Sequence, residues 1–176
     1  MGTAKRQRTI SIKSIYQGIG MKKAVALPRF HADQIEVFYG KGKISCWRAL
    51  NYSENVQTAF AALGTQDPLS NAVVANIHTF VCQLYCPRTA ITDVGELRWW
   101  LFSKRQMQDC KLPPTVAALE KHINRANYQA MIWVNDITAM PDLPAPFTHG
   151  WKQDPPTNEV KPIRTNKNFI TTSTLH

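Results

Sequence analysis

The segment "DPLSNAVVANIHTFVCQLYCP", Asp67–Pro87, carries a clear helical pattern. Its apolar residues recur at spacings of three and four, which places them on one face of a helix. Asp67 followed by Pro68 predicts the N-terminus, because aspartate caps a helix and proline fits the first turn. Pro87 predicts the end. The apolar face consists of Leu69, Val73, Ile77, Phe80, Val81 and Leu84.

Three further helices are predicted by their capping residues. Ser53 begins a helix that ends at Gly64, since glycine suits the left-handed turn after a helix. Asp93, with Glu96 three residues later, forms a capping box for the next one. Thr115 begins the longest helix, whose roughly 20 residues would extend about 30 Å and which we expect to be central in the bundle. The three apolar faces are Val56, Ala59, Phe60 and Leu63; Leu97, Trp100 and Leu101; and Val116, Leu119, Ile123, Ala126, Ala130 and Trp133.

Shorter elements are predicted before these helices. "RTISIKSI" (8–15) and "IEVFYG" (35–40) each indicate a short strand. Met21–Leu27 predicts a short helix that stops before Pro28. The glycine pair in "GKGKISCWRAL" (40–50) then leads into another helix. The residues of that helix expected to face inward are Ile44, Trp47 and Leu50.

The chain has 176 residues and is 44% hydrophobic, which fits one domain or one domain with a tail. We predict a mainly α fold: a small bundle of five or six helices, one or two short strands near the N-terminus and an extended Pro-rich C-terminal tail. Residues 1–52 form a basic lobe with two glycine hairpins, residues 53–137 the helical bundle, and residues 138–176 a proline-rich strap and tail. Phe147 and Trp151 are expected to pin the strap. The chain after the strap lacks periodicity and is expected to be disordered or ordered by a partner.

Positive charge is concentrated at the start of the chain. Residues 1–50 hold ten Lys and Arg against two Asp and Glu, which gives +8 of the total net charge of +9. A basic lobe on a near-neutral body predicts a polyanionic partner, most often nucleic acid. The alternative is a basic surface that serves only solubility.

The sequence gives no sign of a membrane or secreted protein. No apolar run approaches the roughly 20 residues that span a bilayer, and the basic start has no apolar core of a secretory signal behind it. The four cysteines form no Cys-x-x-Cys pair, so we expect a reduced, intracellular protein. With nucleic acid as the expected partner, we predict a nuclear location. These cysteines are Cys46, Cys82, Cys86 and Cys110.

Two lysine-rich glycine pairs are candidates for phosphate contact. "IYQGIGMKKAVAL" (15–27) resembles a helix–hairpin–helix element, in which glycines let backbone amides approach a phosphate at a helix start. "FYGKGKISCW" (38–47) offers a second pair of this kind. Each pair also fits a glycine turn that merely precedes a core helix. The candidate nucleic-acid-binding residues are Gly18, Gly20, Lys22, Lys23, Gly40, Lys41, Gly42, Lys43 and Arg48.

A family resemblance covers most of the chain. Residues 26–50 ("ALPRFHADQIEVFYGKGKISCWRAL"), 112–133 and 141–151 resemble a group of uncharacterised, multi-copy animal proteins linked to mobile elements. In that group, the region upstream of the glycine pair is similar to the hairpin region of flap-endonuclease and PIN-like nucleases. The resemblance implies a mobile-element origin and a link to nucleic acid.

The same resemblance tests whether the chain is a nuclease. The related proteins carry His-Ala-Leu-Thr-Gly-Cys-Asp before the hairpin, whereas here His31-Ala32 runs directly into Asp33. Metal-dependent cleavage of this kind needs three or more carboxylates, and only Asp33 and Glu36 lie near the glycine pairs. The departure implies a fragment or degenerate copy, so an enzyme is not the favoured interpretation.

One helical face could hold a metal. His78, Cys82 and Cys86 recur every four residues and would bind zinc if a fourth ligand arrived. Apolar neighbours crowd the same face, which favours a core role, and we predict neither a metal nor a cofactor.

Aromatic and polar residues elsewhere have two interpretations each. Trp99, Trp100 and Tyr128 could stack on bases, but we expect Trp100 in the core and Trp99 partly exposed. His122 and Arg125 share a helix face near Tyr128, which we expect to be a solvated polar surface.

The preferred function is non-catalytic, sequence-tolerant binding of the phosphate backbone of DNA or RNA through the N-terminal lobe. One alternative is an incomplete remnant of a PIN-like or flap-endonuclease-like nuclease. The other is a structural or protein-interaction module, with a protein partner bound through the C-terminal tail.

Overall fold

The computed structural model describes residues 41–104, 111–136, 138–155 and 157–163. These residues form a mainly helical fold, as predicted, with five α-helices and one small antiparallel sheet. The helices are α1 (Lys43–Leu50), α2 (Glu54–Ala62), α3 (Asn71–Tyr85), α4 (Val94–Ser103) and α5 (Val116–Val134). They are followed by a 3₁₀ helix (Pro146–His149) and by strands β1 (Trp151–Gln153) and β2 (Val160–Pro162).

The capping residues predicted the helix starts well. Ser53, Asp93 and Thr115 each accept a hydrogen bond from the backbone N–H three residues later, at 3.3, 2.8 and 3.3 Å. The start of α3 was predicted wrongly. Ser70 is its cap and accepts from Val73 N–H at 3.4 Å, since the Asp67 carboxylate is engaged elsewhere in the fold.

Helix α3 is the centre of the bundle and packs against α1, α2 and α4. Its side chains are buried on most sides of the helix, and the Phe80 ring meets that of Phe60 edge-on at 5.0 Å. The prediction that the longest helix is central was wrong, because α5 buries a narrower apolar face and leaves Trp133 largely exposed. The buried residues of α3 are Val73, Ile77, His78, Phe80, Val81, Cys82, Gln83, Leu84 and Tyr85.

Helix α5 lies in backbone contact with the turn after α2. Gly64 has a φ of +77°, and a Cβ atom there would lie 2.6 Å from the carbonyl carbon of Ala130. The Asn127 side chain accepts from Gly64 N–H and donates to Gln66 O, both at 2.8 Å. Glycine at position 64 therefore ends α2, as predicted, and also makes room for α5.

The strap is anchored by His149, and the two predicted aromatic residues differ, since Trp151 is partly buried and Phe147 is exposed. Phe147 is 48% exposed, so it does not pin the strap. His149 is buried, its Nε2 lies 3.0 Å from Asp67 Oδ1, and its ring packs 5.1 Å from that of Tyr128. A buried polar ring needs such partners, which explains why Asp67 is not the cap of α3.

The polar face of α5 is covered rather than solvated, contrary to the prediction. His122 is buried. The Arg125 guanidinium donates to the carbonyl oxygens of Gly150 and Ile163, at 3.5 and 3.3 Å. These contacts place the end of the β-hairpin against α5.

The described strands lie in the C-terminal part of the chain. The strands predicted near the N-terminus, at 8–15 and 35–40, fall outside the described residues. In contrast to the extended tail predicted after the strap, β1 and β2 pair with Lys152 opposite Lys161. Lys161 Nζ forms ion pairs with Asp154 and Glu159 across the hairpin. Because the hairpin is closed by polar contacts, it has no apolar periodicity that would predict it.

The contact at Gly64 predicts a strong effect of one methyl group. Gly64→Ala would lower the free energy of unfolding by about 2–4 kcal/mol, since it combines a left-handed backbone with a clash against α5. Gly42→Ala is the matched control, because a Cβ atom there meets nothing within 4 Å. The control should cost about 0.5 kcal/mol, the ordinary difference between these residues at an N-cap. Equal losses in urea unfolding would contradict the assignment.

The strap anchor can be tested in the same way. His149→Ala should lower the free energy of unfolding by about 2–3 kcal/mol, because it leaves Asp67 without its partner and removes the ring against Tyr128. Phe147→Ala, in the half-exposed residue two positions earlier, should cost less than about 1 kcal/mol. A larger loss of stability in Phe147→Ala than in His149→Ala, measured by denaturant titration, would show that Phe147 anchors the strap.

Candidate nucleic-acid interface

Helix α1 turns one face to the core and the other to solvent. Cys46, Ala49 and Leu50 are buried, so the prediction for Leu50 is confirmed. Ile44 is 70% exposed and Trp47 is 37% exposed, so the predicted inward orientation of these two was wrong. The predicted set and the buried set both have helical spacing in this short helix. The buried set has the smaller side chains, and it is the one that packs against α3.

The start of α1 leaves backbone donors available. Gly42 is the N-cap residue, and no described side chain caps the helix there. The first-turn N–H groups of residues 43–45 have no acceptor within the helix, and the first turn contains no acidic residue. Gly42 has a φ of −87°, so its backbone does not require glycine. Among the described residues, no atom lies within 4 Å of where a Cβ atom of residue 42 would be.

Lys41 is tied to the end of α3. Its Nζ lies 4.6 Å from the centre of the Tyr85 ring, a cation–π contact worth about 0.5–1 kcal/mol near a surface. Burial lowers the pKa of Lys41, and the nearby Cys46 and Cys86 oppose this effect. Lys41 therefore helps to fix the chain that enters α1.

The structure brings part of the candidate set together. Lys41, Gly42, Lys43 and Arg48 lie at the start and along the length of α1, and Arg48 is exposed. Residues 41–53, called the basic segment below, contain three basic residues and no Asp or Glu. The remaining candidates lie outside the described residues: Gly18, Gly20, Lys22, Lys23 and Gly40.

Two exposed aromatic residues of the basic segment were missed from the sequence. Trp47 was assigned to the core, and Tyr52, which is half exposed, was not considered. Trp47 and Tyr52 occur among basic residues in a stretch without Asp or Glu. Because aromatic residues interleaved with cations are typical of single-strand binding surfaces, this pattern could have predicted their exposure.

The candidate zinc face is part of the core. His78 and Cys82 are buried, and His78 Nδ1 lies 3.6 Å from Asp93 Oδ2. Burial raises the pKa of Cys82 to about 12, with smaller contributions from Asp93 and Glu96. This disfavours the thiolate form that binds metals. No group of three or more possible metal ligands occurs among the described residues.

Helix α4 presents a second aromatic surface. Its buried residues are Val94, Leu97 and Leu101, so Trp100, which is partly exposed, is not the core residue that was predicted. Trp99 is 66% exposed and its ring lies 6.2 Å from that of Phe102.

Comparison with protein-family models, with curated proteins and with solved structures found no match to this chain. The resemblance to mobile-element-linked proteins therefore stays a prediction. No helix in the described part of the chain has both the length and the apolar character to cross a membrane.

The tyrosine beneath Lys41 predicts a pH dependence. Burial raises the pKa of Tyr85 to about 12, whereas a tyrosine in the unfolded chain ionises near 10. The stability that Tyr85 contributes is therefore present below about pH 10 and lost as the pH rises toward about 12. Tyr85→Phe, which keeps a ring for Lys41, should make the free energy of unfolding fall less steeply over this range.

Tyr52→Phe is the matched control, since it removes the hydroxyl of an exposed tyrosine on the same surface. The measurement is urea unfolding at a series of alkaline pH values. If the free energy of unfolding had the same slope against pH in the wild-type protein and in Tyr85→Phe, the fold would not raise the pKa of Tyr85.

Proposed function

We propose that this chain binds nucleic acid without catalysis and without sequence preference, through the basic segment at the start of α1. The observation that supports the proposal most is a helix start that no described side chain caps, within a stretch of three basic residues and no acidic one. A helix start favours an anion, because its amides are unpaired donors and its dipole is positive there.

The residues of the basic segment would have different tasks. Arg48 is exposed and free to approach a phosphate, and Lys43 begins the helix. Lys41, held against Tyr85, would act mainly by its charge. The amides behind Gly42 would supply directional hydrogen bonds, which make no distinction between bases.

The rest of the N-terminal charge extends the proposal on sequence grounds. Most of the ten basic residues in the first fifty positions precede the basic segment. Gly18 and Gly20, with Lys22 and Lys23, would form a second phosphate contact of the same kind. A nuclear location and a mobile-element origin belong to the same proposal and rest on charge and resemblance.

A protein-interaction module is the second candidate function. It is favoured by the exposed Trp99 and by Phe102 on α4, since aromatic residues are enriched in protein interfaces. A nuclease remnant has less support, because Asp33 and Glu36 are two carboxylates where metal-dependent cleavage of this kind needs three or more.

The binding proposal predicts a steep dependence on salt. Nucleic-acid affinity should fall linearly with salt on a double-logarithmic plot, because each phosphate contact releases counterions. Lys43→Glu with Arg48→Glu should weaken binding at low salt at least tenfold and reduce the slope by about 1–2. Lys41 is left intact because its reversal would also break the contact with Tyr85.

Lys152→Glu with Lys111→Glu is the matched control, since it reverses two exposed lysines outside the basic segment. It should weaken binding by less than threefold. Fluorescence anisotropy with labelled oligonucleotides measures all three proteins. Absence of binding at low salt, or equal losses in the two double variants, would refute the proposal.

A further inference from the structure

The basic segment exposes apolar and aromatic side chains among its cations. Ile44, Trp47 and Tyr52 are exposed, and so is Arg48, which follows Trp47 in the sequence. A helix that only contacts phosphates would have no use for an exposed indole ring. Base faces, in contrast, are apolar and aromatic.

The backbone that carries the two aromatic rings is fixed by hydrogen bonds. Asn51 is the C-cap residue of α1, and its side-chain Nδ2 donates to Trp47 O at 2.7 Å. Tyr52 N–H donates to Ala49 O at 3.1 Å. Trp47 and Tyr52 therefore flank the last turn of one helix, and no flexible linker separates them.

We infer that the basic segment takes single-stranded nucleic acid, with an unpaired base stacked on Trp47 beside the Arg48 guanidinium. The inference rests on the proposed function and adds its substrate class. Base faces are hidden within the stack of a duplex, whereas a single strand offers each of them to an aromatic ring. Tyr52 would receive a neighbouring base, and the cations would follow the phosphates.

Charge complementarity favours this occupant over a protein and favours α1 over α4. The basic segment has no carboxylate to repel a polyanion. On α4 the more exposed Trp99 follows Glu96 by one turn, and Asp93 caps the same helix. Residues 93–104 carry Asp93 and Glu96 against Arg98 and Lys104, so the aromatic rings of α4 have no net positive charge beside them. Residues 41–54 keep three basic residues against Glu54 alone.

The test compares a 20-nucleotide single strand with a duplex of the same sequence. We expect the single strand to bind wild-type protein at least tenfold more tightly at low salt. Trp47→Leu should weaken single-strand binding by about 5- to 150-fold, the range for loss of one stacked base, and change duplex binding less than twofold. Trp47→Phe, which keeps a ring, should restore most of the affinity.

Trp99→Leu is the control for an exposed tryptophan elsewhere and should change neither affinity. Circular dichroism establishes that each variant is folded. Equal binding of both substrates, with no effect of Trp47→Leu, would overturn the inference and leave the proposed function standing. A similar loss of affinity for both substrates in Trp47→Leu would also overturn the inference. Self-association of the wild-type protein that Trp47→Leu abolishes would overturn it as well. Absence of binding to either substrate would overturn the proposed function as well.

Discussion

The fold depends on the burial of α3. A helix that is apolar on most sides is stable in water only when other elements cover it, and α1, α2 and α4 provide that cover. Ile77, Phe80 and Leu84 of α3 belong to the buried core that it shares with these helices. The positions of α1, α2 and α4 therefore follow from one hydrophobic surface. Helix α5 adds Leu119, Ile123 and Ala130 to the same core and also makes the close backbone contact at Gly64.

The orientation of the basic segment is a consequence of the same burial. Because Cys46, Ala49 and Leu50 face the core, the opposite side of α1 is left to Trp47 and Arg48. The cover of α3 therefore determines which side chains the basic segment offers to solvent. The proposed interface would in this way be positioned by the hydrophobic core.

The sequence predicted those features that depend on neighbouring residues. The caps at Ser53, Asp93 and Thr115 form within one turn, so a local pattern is sufficient to find them. The contacts of His149 with Asp67 join residues 82 positions apart, and no local pattern reports such a pairing. The face of α1 was misjudged for a related reason, since a helix of eight residues fits two apolar faces and only its packing distinguishes them. The sequence pattern was sufficient to predict a helix that begins just after Gly42, whereas the exposure of Trp47 and Tyr52 depends on how that helix packs.

Gly42 shows where the fold exerts no demand. Its backbone angles suit any residue, and no described atom lies within 4 Å of where its Cβ atom would be. At Gly64 the positive φ disfavours other residues, and α5 leaves no room for a Cβ atom. Packing therefore requires glycine at position 64 but not at position 42. The residue at position 42 can instead be selected for its contact with a molecule that approaches α1 from solvent.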